Sequence, residues 1–210
     1  MIRRTLFSAA IALLLGGCAG WWSETRLIPV AARDTAGLAG MYTSGEDRAF
    51  FAPTAKVLVR ATAPSGKAPD SDVALALLRE EAPEPSLFEG AETEENEAPR
   101  AIVPDRSYLM EIPVENAERG TTAYFYAIAR IGFAPDGSAD EIKMFSLLCS
   151  KATEAFAARK EQQVCIFDDY ARLRAAAFDV LAWYDDPRME LDTTEWRRES
   201  NADDAAPEPF

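Results

Sequence analysis

The sequence predicts an α+β fold that is mainly antiparallel β, with one helix near its C-terminus. The strongest strand signal is the aromatic and β-branched run at 121–133, which turn residues at 135–138 separate from a second apolar run at 142–149. The helix signal lies at 170–184, where apolar residues recur at helical spacing behind the acidic pair Asp168-Asp169. These patterns predict a curved sheet or a small half-open barrel of five to seven strands, with the helix packed on it.

Shorter stretches supply the remaining predicted elements. Residues 56–61 and 108–114 alternate in the manner of half-buried strands, and 73–78 favours a strand over a buried helical stretch. The Ala-, Glu- and Lys-rich residues 151–162 predict a short helix, and the apolar residues 164–167 predict one more strand. We expect that strand to lie near 142–149.

The N-terminus has the pattern of a secretory signal. Arg3 and Arg4 precede an apolar run at 6–15 that is too short for a membrane span, which needs about 20 residues. The run ends in Leu15-Gly16-Gly17-Cys18, which resembles the lipobox of bacterial lipoproteins. The resemblance implies that residues 1–17 are removed, that Cys18 carries the acyl chains, palmitate among them, and that Cys18 becomes the mature N-terminus. Ala19, where the family's inner-membrane retention signal has Asp, implies the periplasmic face of the outer membrane.

The rest of the chain divides by composition. Trp21-Trp22 follow Cys18 closely, and we expect them either to contact the membrane surface or to cover the domain. The segments are a lipidated tether at 18–36, a single globular domain at 37–186, a mobile acidic loop at 80–100 within it, and an acidic tail at 187–210.

Two cysteines remain once Cys18 is assigned to lipid. Cys149 and Cys165 are an even pair in an oxidising compartment, which predicts a disulfide. Its loop would contribute about 3 kcal/mol to stability in the chain-entropy model. The alternative is two buried free thiols.

Charge and the lack of histidine exclude several functions. The full chain has a net charge of −13, and removing residues 1–17 leaves 20 basic and 35 acidic residues, a net charge of −15. This excess of acidic residues argues against nucleic acid as a partner. It also argues against a basic surface patch that would bind anionic lipid, so the acyl chains must provide the membrane anchor. Without histidine, the chain has no Ser-His-Asp or Cys-His catalysis and no His-bound zinc. We expect no catalytic residue, no metal and no cofactor.

The sequence therefore predicts a non-enzymatic, membrane-anchored envelope lipoprotein that acts as a periplasmic accessory or interaction module, with an unknown envelope protein as its partner. The alternative is a lipoprotein that binds a small apolar ligand on a face formed by Tyr124, Tyr126 and Ile128. The other interpretation is that these three residues belong to the hydrophobic core and bind no ligand. The strand-rich layout with Gly40-Met41-Tyr42 near its start resembles the lipocalins, although Tyr42 stands where their Gly-x-Trp motif has Trp.

Overall fold

The computed structural model describes residues 20–62, 70–81, 103–116, 120–184 and 193–199. These ranges contain twelve strands, two α-helices and a 3-10 turn at Val30–Ala32. The helices are α1 (Lys151–Glu154) and α2 (Tyr170–Tyr184). The strands are β1 (Gly20–Ser23), β2 (Arg33–Asp34), β3 (Gly40–Ser44), β4 (Asp47–Pro53), β5 (Val59–Thr62), β6 (Ser71–Glu80), β7 (Arg106–Asn116), β8 (Thr121–Phe133), β9 (Ala139–Ser146), β10 (Arg159–Glu161), β11 (Val164–Ile166) and β12 (Thr193–Arg198).

Eight of these strands, β3 to β9 and β12, form a closed antiparallel barrel. From β3 to β9 each strand pairs with the next along the chain. β12 then fills the gap between β9 and β3, where Trp196 pairs with Ile142 and Arg198 pairs with Tyr42. The predicted α+β fold, with a curved sheet or half-open barrel of five to seven strands, is therefore wrong. Closure depends on β12, a polar strand within the segment that composition assigned to the acidic tail.

The predicted hairpin is present as β8 and β9. Ile131 pairs with Ile142 across it, and the turn between the strands is held by Asp136, whose Oδ1 accepts the Ser138 N–H at 2.8 Å. Gly137 in that turn has a φ of 81°, a conformation that glycine adopts without a Cβ penalty. The strand favoured at 73–78 is also present, within β6. The helix predicted at 151–162 is wrong beyond α1, because the chain turns into β10 instead.

The barrel interior is filled by side chains from all eight strands. Because side chains alternate along a strand, every second residue points inward. Tyr42 and Tyr108 lie deep inside, where Tyr42 donates to the Ala139 carbonyl at 2.7 Å and Tyr108 donates to Asp34 Oδ2 at 3.2 Å. Neither tyrosine has surface that water can reach, so neither lines a cavity large enough for a water molecule. The strands contribute to this interior Tyr42, Phe51, Val59, Leu75, Tyr108, Ile131, Ile142 and Trp196.

A second apolar core lies on the outside of the barrel, between β6–β9 and helix α2. The helix has the bounds that the sequence predicts, and Asp169 caps it by accepting the Arg172 N–H at 2.9 Å. Its core-facing residues are Leu173, Ala176, Ala177, Val180 and Leu181. Phe178, another apolar residue of this helix, is 39% exposed. The helix therefore covers one outer side of the barrel.

The buried tyrosines make the barrel sensitive to alkaline pH. Burial is the main cause that raises the pKa of Tyr42 and of Tyr108 to about 12, from 10 for a free side chain. The folded state therefore holds these protons more tightly than the unfolded chain. We expect the free energy of unfolding to be unaffected by these groups below pH 10. It should fall between pH 10 and 12 by about 1.4 kcal/mol per pH unit for each tyrosine.

Tyrosine absorbance and circular dichroism, followed together in a titration, check this expectation. Ionisation of the buried tyrosines should coincide with loss of the β signal. A Tyr108→Phe variant should show a shallower fall of stability above pH 10. Full ionisation near pH 10 with an intact barrel would contradict the account.

Candidate functional site

The N-terminal strand and its surroundings form the part of the structure closest to the predicted lipid anchor. Cys18 lies outside the described residues, as does all of the predicted acidic loop except Glu80 and Glu81. The first described residue is Gly20, which opens β1. Of the segment assigned to a tether, residues 20–36 are part of the fold, as β1, the 3-10 turn and β2.

β1 is held on both of its edges. On one side it pairs in parallel with β11, where Gly20 lies opposite Val164. On the other side it pairs antiparallel with β8, where Trp22 lies opposite Phe125. A four-residue strand between two partners leaves few backbone groups unsatisfied, which holds it more firmly than an edge position would.

Trp21 anchors β1 to the outer core. Its side chain is fully buried, its indole Nε1 donates to the Leu148 carbonyl at 3.1 Å, and its ring lies 5.1 Å from that of Phe167. Trp21 therefore covers the domain, one of the two roles that the sequence left open. Trp22 is partly exposed.

The predicted disulfide between Cys149 and Cys165 is confirmed, with the two Cα atoms 5.2 Å apart. Cys165 lies in β11 directly opposite Trp21. The bond therefore ties the strand beside β1 to the segment that follows β9. We expected residues 164–167 to lie near β9, but β11 pairs with β1 and β10 instead.

Loss of this disulfide should lower the free energy of unfolding by about 3 kcal/mol, because the bond closes a loop of 16 residues. Urea denaturation of a Cys149→Ala/Cys165→Ala variant checks the value. Reductant should shift the midpoint of the wild type toward that of the variant and leave the variant unchanged. A wild type whose thiols become alkylatable with no shift in midpoint would contradict the prediction.

A buried carboxylate holds the chain immediately after β1. Glu111 projects from β7 and has no exposed surface. Its Oε2 accepts the N–H groups of Leu27 at 2.6 Å and Ile28 at 3.1 Å, and the Tyr126 hydroxyl at 3.1 Å. Its Oε1 lies 3.3 Å from an Arg26 guanidinium nitrogen. We call these residues the Glu111 network.

The electrostatics of the Glu111 network fit a structural role. Burial raises the pKa of Glu111, and the two backbone N–H groups, Arg26 and Tyr126 oppose that rise. Ser23 Oγ lies 2.7 Å from the Tyr126 hydroxyl, so the network also reaches back to β1. The carboxylate is therefore held by Arg26, Leu27, Ile28 and Tyr126 of the same domain. Glu111 was not predicted as a site residue, and its signal in the sequence is a single acid inside the apolar, alternating run at 108–114.

The candidate ligand face lies on the outside of the barrel. Tyr124, Tyr126 and Ile128 share one side of β8, the side that meets the outer core rather than the barrel interior. Tyr126 and Ile128 are fully buried, and the Arg26 guanidinium lies 5.1 Å above the Tyr124 ring. The three residues therefore lie together. Their face is covered by the N-terminal segment, through Arg26, and by the other residues of the outer core.

A small open cleft of 230 Å³ lies at the β8–β9 end of the barrel. Burial raises the pKa of Asp105 there, whereas Glu141 is ion-paired with Lys143 at 3.1 Å and with Arg197 at 3.2 Å. Within the described ranges, no three or more acidic or cysteine side chains are placed to share a metal ion. The cleft is lined by Asp105, Gly132, Phe133, Asp140, Glu141 and Arg197.

No family model, curated protein or solved structure matches this chain. Among the residues that the structure describes, no helix has the length and apolar character needed to cross a bilayer. The eight-stranded antiparallel barrel is compatible with a lipocalin-like fold, which has the same number of strands.

Proposed function

We propose that this protein is a non-enzymatic envelope lipoprotein, anchored through Cys18 to the periplasmic face of the outer membrane, whose barrel is an interaction module for another envelope protein. The lipobox resemblance at 15–18 supports the anchor. The confirmed disulfide agrees with an oxidising compartment. Two observations support a role without catalysis. The sequence has no histidine, and the Glu111 carboxylate is engaged in hydrogen bonds to the backbone of Leu27 and Ile28.

The observation that carries the proposal is the position of β1. Only Ala19 separates Cys18 from Gly20, which is already part of the sheet. Each residue spans at most about 3.6 Å, so two steps of chain reach about 7 Å. An acylated Cys18 would therefore hold the barrel against the membrane, where a partner must approach it close to the bilayer.

The filled barrel favours an interaction module over a carrier. The interior residues Leu75, Tyr108 and Ile131 have no surface that water can reach. An apolar ligand could enter this part of the barrel only if these side chains moved apart, which would lose their packing contacts and cost free energy. A partner would instead recognise the outer surface.

Crosslinking in cells, followed by purification under denaturing conditions, tests the proposal. We expect one envelope protein to be recovered repeatedly in fixed proportion to this chain. A matched sample from a strain lacking the protein identifies background species. Repeated recovery of the uncrosslinked monomer alone would contradict the interaction role.

The alternative is a lipocalin-like lipoprotein that binds a small apolar ligand, and the closed eight-stranded barrel is compatible with that fold. Native mass spectrometry of the purified domain separates the two functions. A carrier should retain an apolar molecule in stoichiometric amount, which organic extraction would release. The interaction module should give the mass of the protein alone.

A further inference from the structure

The point where the chain leaves the barrel toward Cys18 is narrow and well defined. The Gly20 N–H donates to the Gln163 carbonyl at 3.2 Å, and the Leu147 carbonyl oxygen lies 3.5 Å from where a Cβ on Gly20 would be. The chain therefore exits between the β10–β11 turn and the segment that follows β9.

An exposed leucine lies beside this exit. The carbonyl of Leu148 accepts the Trp21 indole N–H at 3.1 Å, which fixes its backbone next to β1, while 65% of Leu148 is exposed. The neighbouring Cys149 is held by the disulfide. The Trp21 hydrogen bond and the disulfide therefore hold the Leu148 side chain at a defined place on the surface, beside the point where the chain leaves β1.

The surface around the exit is electrically balanced, unlike the chain as a whole. Lys160 is ion-paired with Glu154, and Arg159 is ion-paired with Glu24 at 2.7 Å and Glu161 at 3.0 Å. The Lys160–Glu154 pair sums to zero charge in a protein of net charge −13, and the alternation of side chains along β10 directs Arg159 and Glu161 to the opposite face. Anionic lipid would not repel this area, as it would repel an acidic face. We call Leu148, Glu154, Lys160 and the turn residues Gln162 and Gln163 the exit patch.

We infer that the exit patch rests on the lipid headgroups, with the Leu148 side chain inserted at the bilayer interface. This inference depends on the proposed acylation of Cys18. An acylated Cys18 lies within about 7 Å of Gly20, so the surface beside Gly20 is brought to the membrane whatever the rest of the barrel does. The bilayer is then a second contact that fixes the orientation of the barrel, and the side opposite β8 faces the periplasm.

Photocrosslinking from position 148 tests the inference. A photoreactive amino acid replaces Leu148 in the full-length chain, and the acylated protein is incorporated in vesicles of phosphatidylethanolamine and phosphatidylglycerol. The control is the same amino acid at Phe50, which is 43% exposed on β4, four strands from β8 in either direction around the barrel. Insertion of one apolar side chain predicts about tenfold more lipid adduct from position 148 than from position 50.

The outcomes are distinguishable. The mass of the purified chain is measured first, and a chain without acyl groups would overturn both the proposed function and this inference. An acylated chain that gives equal lipid adducts at the two positions would overturn the inference and leave the lipoprotein assignment standing. In cells, a protein adduct at position 148 in place of a lipid adduct would also overturn it, since the patch would then bind a partner.

Discussion

A Cys18→Ala variant should leave the membrane entirely and remain folded. The acyl chains are the anchor in this account, and the mature net charge of −15 provides no basic surface to hold the protein on anionic lipid. Because an uncleaved signal would itself retain the chain, the variant is made with a conventional cleavable leader in place of residues 1–17. Fractionation measures its distribution, and circular dichroism measures its fold.

The matched control is the unchanged full-length chain with its own residues 1–17 and Cys18, which should be recovered wholly in the membrane fraction. The two proteins should show the same thermal transition. A Cys18→Ala protein that stays wholly in the membrane fraction after salt washing would contradict the assignment of the anchor to Cys18.

Trp21→Ala should lower the free energy of unfolding by about 3–5 kcal/mol, the usual cost of truncating a fully buried tryptophan. The change removes the largest side chain of β1 from the outer core, its contact with Phe167 and its bond to the Leu148 carbonyl. Urea denaturation, with Trp21→Ala made in the leader-exchanged Cys18→Ala protein, measures the loss. We also expect faster hydrogen exchange in β1 and β11, which Trp21 holds together with the barrel.

Two further variants make the Trp21 result specific. Trp183→Ala removes a tryptophan that is 42% exposed and should cost about 1 kcal/mol or less. Trp21→Phe keeps a ring in the core and should recover most of the loss, with about 1 kcal/mol remaining for the hydrogen bond. Equal losses for Trp21→Ala and Trp183→Ala would show that β1 is not anchored as described.

Local signals explain what the sequence could predict. The β8–β9 hairpin follows from two long apolar strands around a turn whose Asp136 and Gly137 suit its geometry. Helix α2 follows from apolar spacing and from the cap at Asp169. The disulfide follows from compartment and cysteine number. Each of these features is decided by residues close in the chain or by a pair without competitors.

The features that the sequence did not predict depend on distant pairing. β12 contains Trp196 as its only large apolar residue, and it becomes a strand because β9 and β3 lie on either side of it. β1 has four residues, too few to give a periodic pattern, and it forms between β8 and β11. Closure of the barrel and the pairing of the N-terminal segment are therefore decided by contacts between residues far apart in the sequence.

The N-terminal site was predictable only in part. The acylation of Cys18 is a proposal that rests on resemblance to a family motif, and Trp21 was singled out with two roles open. The Glu111 network requires β7 to meet the chain at Leu27 and Ile28, more than 80 residues away in sequence. A lone acid in an apolar strand marks such a contact, but its partners are known only from the fold.

Mass spectrometry of the N-terminal peptide of the protein purified from membranes tests the central claim most directly. We expect a mature chain that begins at Cys18 and carries two or three acyl chains on that residue. A mature chain that begins elsewhere, or an unmodified Cys18, would contradict it.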